Sequence, residues 1–366
     1  MHDAGDVAAR EVMGLQFVGI ETQAGFRALD HRRDDRRGRH LAPAHQDKLQ
    51  QADPHARHQR REPESYGYKI EDEPNRKEAH ENYKNDQSTL KIHSFLFLFG
   101  CFHDAAAREY FEGQDIETVP CETFNGMFNL LKSDASMLGI LAIENTIAGS
   151  LLQNHELLRQ SNMTIVGEYK KYISHSIAAL PGQSIDDIAE VNSHPMALRQ
   201  CEQYLQLHPK MKMVETYDTA GSAKMIAENN LVGHAAICGR YAAELYGLNV
   251  LEDDIQTNKR NFTRFLVVTD PCNATEFKNQ KAVDKASIAF TLPHSQGSLS
   301  AVLVIFSFYG MNLTKIQSLP IIGREWEYRF YVNLTFNDYT RYRQSIDAVR
   351  PLISDFKILG EYAEYK

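Results

Sequence analysis

The sequence predicts two folded regions of different class, an α/β region followed by a smaller α+β unit. In the first region, short apolar runs at 139–143, 235–238 and 265–268 alternate with amphipathic stretches. Strands that alternate with helices are typical of an α/β architecture with a mainly parallel sheet. From residue 284 the order changes to strand, helix, two strands, helix and strand, which is the ferredoxin-like split motif.

Apolar spacing assigns the individual elements of both regions. In the first region we expect strands at 95–102, 139–143, 235–238 and 265–268, and helices at 123–131 and 197–205. In the second we expect strands at 286–292, 313–319, 326–336 and 356–362, and helices at 298–309 and 339–353. The polar segment 271–280 is the expected linker, so the folded regions are 93–272 and 284–366.

Residues 1–92 differ from the rest of the chain. They contain charged clusters at 31–37 and 60–64 and few apolar residues at any regular period. Such a composition buries too little apolar area to offset the entropy of the chain. We therefore expect a disordered extension or a non-native start of the reading frame.

The composition excludes several classes of function. A net charge of −8 disfavours nucleic acid or an anionic membrane surface as a partner. The five cysteines are scattered without metal-ligand spacing, which predicts reduced thiols and no metal site. No apolar run approaches the roughly 20 residues that span a bilayer, and the start lacks a secretory signal pattern. We expect a cytoplasmic protein.

Polar side chains stand at the end of one predicted strand and at the start of a helix. Asn145 and Thr146, directly after the strand 139–143, offer amide and hydroxyl donors to a bound anion, although a helix cap and turn would use the same residues. Ser193 and His194 precede a proline that suits the first turn of a helix. The free backbone N–H groups of such a helix form an anion site.

Two further segments have the same character. Thr219 stands before an alanine-rich helix, again as a donor or a cap. Ahead of the strand 265–268, Arg264 can bind a carboxylate in a forked geometry, with the Thr263 hydroxyl and the apolar ring of Phe265 beside it. Together these segments predict a site for an anionic small molecule.

With these motifs in this order, residues 99–366 resemble the prephenate dehydratase family. The resemblance rests on Glu144-Asn145-Thr146, Ser193-His194-Pro195, Asp218-Thr219-Ala220 and Thr263-Arg264-Phe265. The unit 284–366 is similar to an ACT domain, a regulatory module that binds amino acids, through Gly297-Ser298-Leu299 and the segment 310–316. The resemblance implies a two-lobed, periplasmic-binding-protein-like α/β catalytic domain. Its chain would cross between lobes near 169–172 and 254–259.

The resemblance also implies the chemistry, in which prephenate loses CO2 and water to give phenylpyruvate without a cofactor. Thr263 would donate a hydrogen bond to the leaving hydroxyl, and Arg264 would either clamp a carboxylate or orient Thr263. The implied substrate-binding residues are Asn145, Thr146, Ser193, His194, Thr219 and Phe265. The implied phenylalanine-binding residues are Gly297, Ser298, Leu299, Asn312 and Leu313. ACT units pair, so a homodimer or homotetramer is expected.

Two alternatives stay open at this stage, and three positions depart from the family pattern. The chain could be an arogenate dehydratase or a non-catalytic amino-acid-binding regulatory protein. Phe97 replaces a glycine of the first loop, and Cys101 stands where a hydroxyl donor is common. The segment 317–320 reads Gln-Ser-Leu-Pro instead of Glu-Ser-Arg-Pro, so we expect an altered coupling to phenylalanine.

Overall fold

The computed structural model describes residues 90–95, 99–121, 123–134, 136–275 and 282–365. Most of the predicted N-terminal extension, the position Phe97 and the second half of the predicted linker lie outside the described residues. None of the described helices is long and apolar enough to cross a membrane.

The first lobe is built on five neighbouring strands in the order β2-β1-β3-β11-β5. Its elements are β1 (Leu90–Phe95), α1 (Phe102–Tyr110), β2 (Ile116–Cys121), α2 (Phe124–Ser133), β3 (Leu138–Asn145), β4 (Gly149–Ser150), α3 (Leu152–Gln160), β5 (Thr164–Tyr172) and β11 (Phe262–Thr269). Strand β1 is parallel to β2 and β3, and β11 runs antiparallel to β3 and β5.

The strand predicted at 95–102 is wrong in position. The observed strand β1 ends at Phe95 and begins at Leu90, inside the range predicted as an extension. Gly100 has φ +88°, a left-handed conformation that glycine adopts without strain. The side chain of Cys101 then accepts the backbone N–H of His103 and caps α1. A turn and a helix start therefore occupy residues whose apolar character suggested a strand.

The second lobe has its own sheet, in the order β10-β6-β9-β7-β8. Its elements are β6 (Ser176–Ala179), a 3-10 turn (Ile185–Asp187), β7 (Glu190–Ser193), α4 (Pro195–Gln200), α5 (Glu202–Leu207), β8 (Lys212–Glu215), α6 (Thr219–Glu228), β9 (His234–Cys238), α7 (Arg240–Leu245) and β10 (Asn249–Glu252). The chain passes between the two sheets at 173–175 and 253–261, beside the positions predicted for the crossovers. The two-lobed α/β architecture is therefore confirmed.

The C-terminal unit has the predicted element order. It comprises β12 (Lys285–Thr291), α8 (Ser298–Phe308), β13 (Asn312–Pro320), β14 (Tyr328–Thr335), α9 (Tyr339–Val349), a 3-10 turn (Arg350–Leu352) and β15 (Ser354–Tyr362). Its four strands are antiparallel in the order β13-β14-β12-β15. The fully buried side chains of Phe290, Phe306, Val332 and Tyr342 form the centre of its core.

The sheets of the first lobe and the C-terminal unit are continuous. Strand β15 lies parallel to β5, with Gly360 paired to Ile165. A side chain at Gly360 would collide with the backbone of Ile165, so this close approach requires glycine. The C-terminal unit is therefore held against the strands that carry the predicted site.

Candidate active site between the two lobes

A cleft of about 280 Å³ lies between the two lobes. It is bordered by the ends of β3 and β7 and by the first turns of α1, α4 and α6. Five of the predicted site residues line it, namely Asn145, His194, Thr219, Thr263 and Phe265. Thr146, Ser193 and Arg264 do not.

The orientation of the Asn145 side chain is fixed by backbone groups. Its Oδ1 accepts the N–H groups of Ile147 and Ala148 at 2.9 and 2.8 Å. The amide nitrogen therefore points the other way, where its Nδ2 donates to Thr263 Oγ1 at 2.9 Å. Because an amide N–H can only donate, Thr263 is the acceptor in this bond, and its own hydroxyl hydrogen is left to donate to a ligand.

The hydrogen-bond network continues across the two lobe crossovers. Asn145 Nδ2 also donates to Asn261 Oδ1 at 2.9 Å, and Asn261 Nδ2 donates to Gln200 Oε1 at 3.0 Å. His175 Nε2 lies 2.8 Å from the same Gln200 oxygen. Because that oxygen is an acceptor, His175 carries its proton on Nε2. A chain of neutral groups thus links Thr263 to both lobes.

His194 and Thr219 present donors from the second lobe. His194 Nδ1 accepts the backbone N–H of Met196 at 3.1 Å and caps α4, so the ring carries its proton on Nε2 as a donor. Thr219 is the first residue of α6, which Asp218 caps through the backbone N–H of Gly221 at 2.8 Å. Burial raises the pKa of the Asp218 carboxyl.

The wall opposite Thr263 is formed by the start of α1. Burial raises the pKa of the Cys101 thiol, which is therefore protonated at neutral pH. Burial also lowers the pKa of His103 from 6.5 to about 3, so its ring is neutral. That ring packs edge-on against Phe265, with 4.9 Å between centroids. This wall is consequently uncharged.

Comparison with known proteins places this cleft in a family. A family model described as prephenate dehydratase matches residues 94–273. Arogenate dehydratase 5, chloroplastic, of Arabidopsis thaliana is 34% identical over 294 residues, which are 75% of this chain and 68% of the relative. The chain belongs to the prephenate dehydratase family. It is therefore an enzyme, a lyase.

Two solved structures are similar to this chain in fold. The prephenate dehydratase of Arthrobacter aurescens in complex with L-Phe has a TM-score of 0.67 and 26% identity, covering 75% of this chain and 90% of that one. GqqA, described as a novel type of quorum quenching acylases, has a TM-score of 0.65 and 25% identity, covering 75% and 98%.

Arg264 lies on the face of the sheet opposite the cleft. Its Nε donates to Glu168 Oε2 at 2.7 Å and its Nη2 to the Tyr362 hydroxyl at 2.9 Å. Neighbouring residues of a strand point to opposite faces, so Thr263 and Phe265 face the cleft while Arg264 faces the C-terminal unit. The Arg264 guanidinium therefore does not line the cleft in this arrangement, and its role, whether as a carboxylate clamp or as an orienting residue, stays a prediction.

Two other predicted binding residues serve the framework. Ser193 is fully buried, and its hydroxyl donates to the carbonyl of Ile237 at 2.6 Å. The Thr146 hydroxyl donates to the carbonyl of Arg260 at 2.7 Å and accepts the N–H of Phe262 at 2.9 Å. Both hydroxyls are thus committed to the protein, and Thr146 ties the end of β3 to the start of β11.

Three residues of the network were missed by the sequence analysis. Asn261 and Gln200 stand in segments that carry the family resemblance, but neither was predicted as a site residue. His175 had none, because it is a lone histidine between two strands. Its role depends on the approach of the two lobe crossovers, which no local pattern encodes.

Proposed function

We propose that the cleft converts prephenate to phenylpyruvate with loss of CO2 and water. The single observation that carries this proposal is the Asn145–Thr263 hydrogen bond of 2.9 Å, in which Thr263 is the acceptor. It leaves the Thr263 hydroxyl as an oriented donor in a largely apolar cleft. That is the group the reaction needs beside a departing hydroxyl.

In this reaction, decarboxylation of the ring expels the hydroxyl group. The bond between the ring and its carboxylate breaks, and the electron pair moves through the ring diene toward the carbon that bears the hydroxyl. The C–O bond breaks, the departing hydroxide takes a proton from solvent and leaves as water, and the ring becomes aromatic. Threonine is a very weak acid, so Thr263 acts by a hydrogen bond that strengthens as charge develops on the leaving oxygen.

Neutral donors, rather than cations, would hold the carboxylates of the substrate. None of the described residues that line the cleft is a lysine or an arginine. His194 Nε2–H and the first turn of α6 at Thr219 supply the donors, and a helix N-terminus stabilises an anion by about 0.3–1 kcal/mol. A carboxylate taken from water into apolar surroundings loses solvation that CO2 does not need, which favours decarboxylation.

Arogenate is the second candidate substrate, and the lack of cationic side chains in the described lining of the cleft favours it. Arogenate carries an ammonium where prephenate carries a carbonyl, so its net charge is less negative. The Asp218 carboxyl lies in the cleft and no lysine or arginine does, among the residues described. An arogenate dehydratase is also among the relatives reported above.

One assay tests both substrates. Purified protein is given prephenate or arogenate, and phenylpyruvate or phenylalanine is followed by chromatography. Turnover of either supports the proposal, and the ratio of the two kcat/KM values assigns the preferred substrate. Failure to consume either, with phenylalanine still bound, would contradict the proposed reaction.

GqqA is described as an acylase, and the lining of this cleft does not fit a cysteine acylase. A cysteine acylase needs a thiolate paired with a base. Cys101 is a buried thiol whose Sγ lies 4.0 Å from His103 Nδ1. Burial keeps that histidine neutral, so it cannot stabilise a thiolate as an imidazolium.

We further propose that residues 93–272 are the catalytic domain and that 284–366 are an ACT domain that binds phenylalanine. A pocket of about 430 Å³ is lined by Gly297, Ser298 and Leu299 together with the ring of Trp326. Asn312 and Leu313, at the start of β13, do not line it within one chain. A second chain that supplies them would complete the site.

The exposed face of α8 supports such a pairing of chains. Val304 and Phe308 are 67% and 78% exposed, although the helix is apolar apart from three serines. A helix that is apolar all round is normally buried. We therefore propose a homodimer or a larger homo-oligomer through this unit. Light scattering gives the mass of the particle, and calorimetry with phenylalanine measures the binding. A monomer that takes up no phenylalanine at millimolar concentration would contradict this proposal.

Location and partners complete the proposal. We propose a cytoplasmic location, as expected from the sequence. The plant relative above, by contrast, is described as chloroplastic. No cofactor, nucleic acid or membrane partner is proposed.

A further inference from the structure

A buried group of charged side chains joins the catalytic lobe to the C-terminal unit, on the face of the sheet opposite the cleft. We call it the junction network; it comprises Glu144, Glu168, Arg264, Lys285 and Lys315. Arg264 Nη2 lies 2.6 Å and Lys285 Nζ 2.8 Å from the Glu168 carboxylate. Lys315 Nζ lies 2.8 Å from Glu144. All but Glu144 have side chains at most 11% exposed.

Two residues of the junction network, Glu144 and Arg264, are each joined by one peptide bond to a residue that faces the cleft. Thr263 is paired with Asn145 across β11 and β3, and Arg264 is paired with Glu144. Each residue of the first pair faces the cleft, and its chain neighbour in the second pair faces the C-terminal unit. A shift of Glu144 therefore moves Asn145, whose amide holds the Thr263 hydroxyl at 2.9 Å.

Lys315 is the member of the network that comes from the predicted effector strand. It lies on β13, two and three residues after Leu313 and Asn312. Its Nζ contacts Glu144 and also donates to Ser150 Oγ at 2.6 Å. Burial lowers the pKa of Lys315, so the ammonium depends on these two partners for its stability.

The two partners of Lys315 belong to one small hairpin. Glu144 on β3 is directly paired with Ser150 on β4, and the next pair is Asn145 with Gly149. Gly149 has φ +81°, which permits the tight turn between the strands. Lys315 therefore holds both strands of the hairpin that presents Asn145 to the cleft.

We propose that Lys315 is a positioning residue that transmits effector binding on β13 to Asn145 and Thr263 in the cleft. The proposal rests on the proposed function of both sites. Binding near Asn312 and Leu313 shifts β13, Lys315 moves Glu144 and Ser150, and the Asn145 amide changes its position. A displacement of a few tenths of an ångström suffices to weaken the hydrogen bond that orients Thr263.

A second lysine provides the matched control. Lys357, on β15, also reaches from the C-terminal unit to the first lobe, where its Nζ donates to the carbonyls of Arg159 and Ser161 at 2.6 Å each. Those carbonyls lie at the end of α3 and not on the hairpin of Asn145. Lys357 therefore shares the docking role of Lys315 without its connection to the cleft.

The test measures coupling without relying on turnover. Calorimetry gives the affinity of the full chain for phenylpyruvate with and without saturating phenylalanine, and the ratio is the coupling factor, typically about 5- to 150-fold. Lys315→Met is expected to reduce that factor to below about 2-fold while phenylalanine still binds. Lys357→Met is expected to keep the wild-type factor.

Ser150→Ala is the second variant, since it removes one partner of Lys315 without burying an unpaired charge. It is expected to lower the coupling factor at least about 2-fold and to lower the midpoint of thermal unfolding less than Lys315→Met does. A wild-type factor of 1, or an equal factor in the wild type and both variants of this contact, would overturn the proposal. Absence of turnover with coupling intact would instead count against the proposed reaction.

Discussion

The two faces of the β3–β11 strand pair differ in the kind of polar group they carry. On the cleft side, Asn145 and Thr263 form a network of neutral amides and hydroxyls. On the opposite side, Glu144 and Arg264 belong to a network of buried charges. The same two strands thus present neutral dipoles to the reaction and charges to the C-terminal unit.

The neutral face therefore serves the reaction, and the charged face holds the C-terminal unit in place. A guanidinium in the cleft would stabilise the carboxylates of substrate and product as well as the transition state, and such uniform binding does not accelerate the chemical step. An oriented hydroxyl donor interacts mainly with charge that develops during the reaction. On the far side, buried charges must find partners or destabilise the fold, so they fix one docking geometry.

The largest effect is expected on the charged face. Arg264→Met leaves the Glu168 carboxylate, which is fully buried, with Lys285 as its remaining cationic partner. Burial alone raises the pKa of Glu168, and at present Arg264 and Lys285 outweigh it and hold that pKa below its ordinary value. Breaking a buried ion pair costs about 3–5 kcal/mol. Urea unfolding of the variant should show a loss of that order.

The control for this variant is Arg343→Met. Arg343 is 46% exposed and pairs with Glu361 at 3.5 Å, so its loss should cost below about 1 kcal/mol. If Arg264→Met were as stable as this control and yet inactive, Arg264 would be needed for turnover and not for docking of the C-terminal unit.

A smaller effect is expected from Asn145→Asp on the neutral face. Aspartate can still accept the N–H groups of Ile147 and Ala148, so the turn is retained. Its second oxygen cannot donate, and the Thr263 hydroxyl would turn toward it. We expect kcat to fall about 100-fold, the range of a lost positioned donor, with unchanged thermal unfolding. Asn229→Asp, at an exposed helix end, is the control; equal kcat in both variants would contradict the account.

The smallest effect concerns pH and a histidine beside the junction network. Burial lowers the pKa of His155 from 6.5 to about 3, with Lys315 and Arg264 adding to the shift. Between these two pH values the unfolded state binds the proton and the folded state does not, so stability falls as pH decreases below 6.5. One such group contributes up to about 1.4 kcal/mol per pH unit.

His155→Gln removes this contribution. The variant should show a shallower loss of unfolding free energy between pH 6.5 and 4.5, measured by urea titration. His294→Gln, at an exposed position, is the control. The same slope in the wild type and in His155→Gln would show that this histidine takes up its proton in the folded state.

Much of the cleft could be predicted from sequence because its residues stand at the ends of strands and at helix starts. Asn145, His194 and Thr219 were found this way, since strand ends and helix N-termini share one edge of an open α/β sheet. The element order of the C-terminal unit followed from the period of its apolar residues.

The parts that were not predicted depend on contacts between distant segments. The alternation along β11 separates Thr263 from Arg264. Only the packing of the C-terminal unit brings Lys285 of β12 to Glu168 and the Tyr362 hydroxyl of β15 to Arg264. Ser193 looked like a ligand donor, yet the carbonyl of Ile237 on a neighbouring strand takes its hydrogen. The first strand was misplaced because apolar residues near Phe95 do not reveal the left-handed turn at Gly100.

The most direct test of the account is the turnover of two variants of Thr263. Thr263→Val keeps the branched shape and removes the hydroxyl, whereas Thr263→Ser keeps the hydroxyl. With the preferred substrate, the valine variant should lose about 10²- to 10⁴-fold in kcat with folding and phenylalanine binding intact, and the serine variant should stay within about 10-fold of wild type. A valine variant with wild-type kcat would contradict the role of the Thr263 hydroxyl.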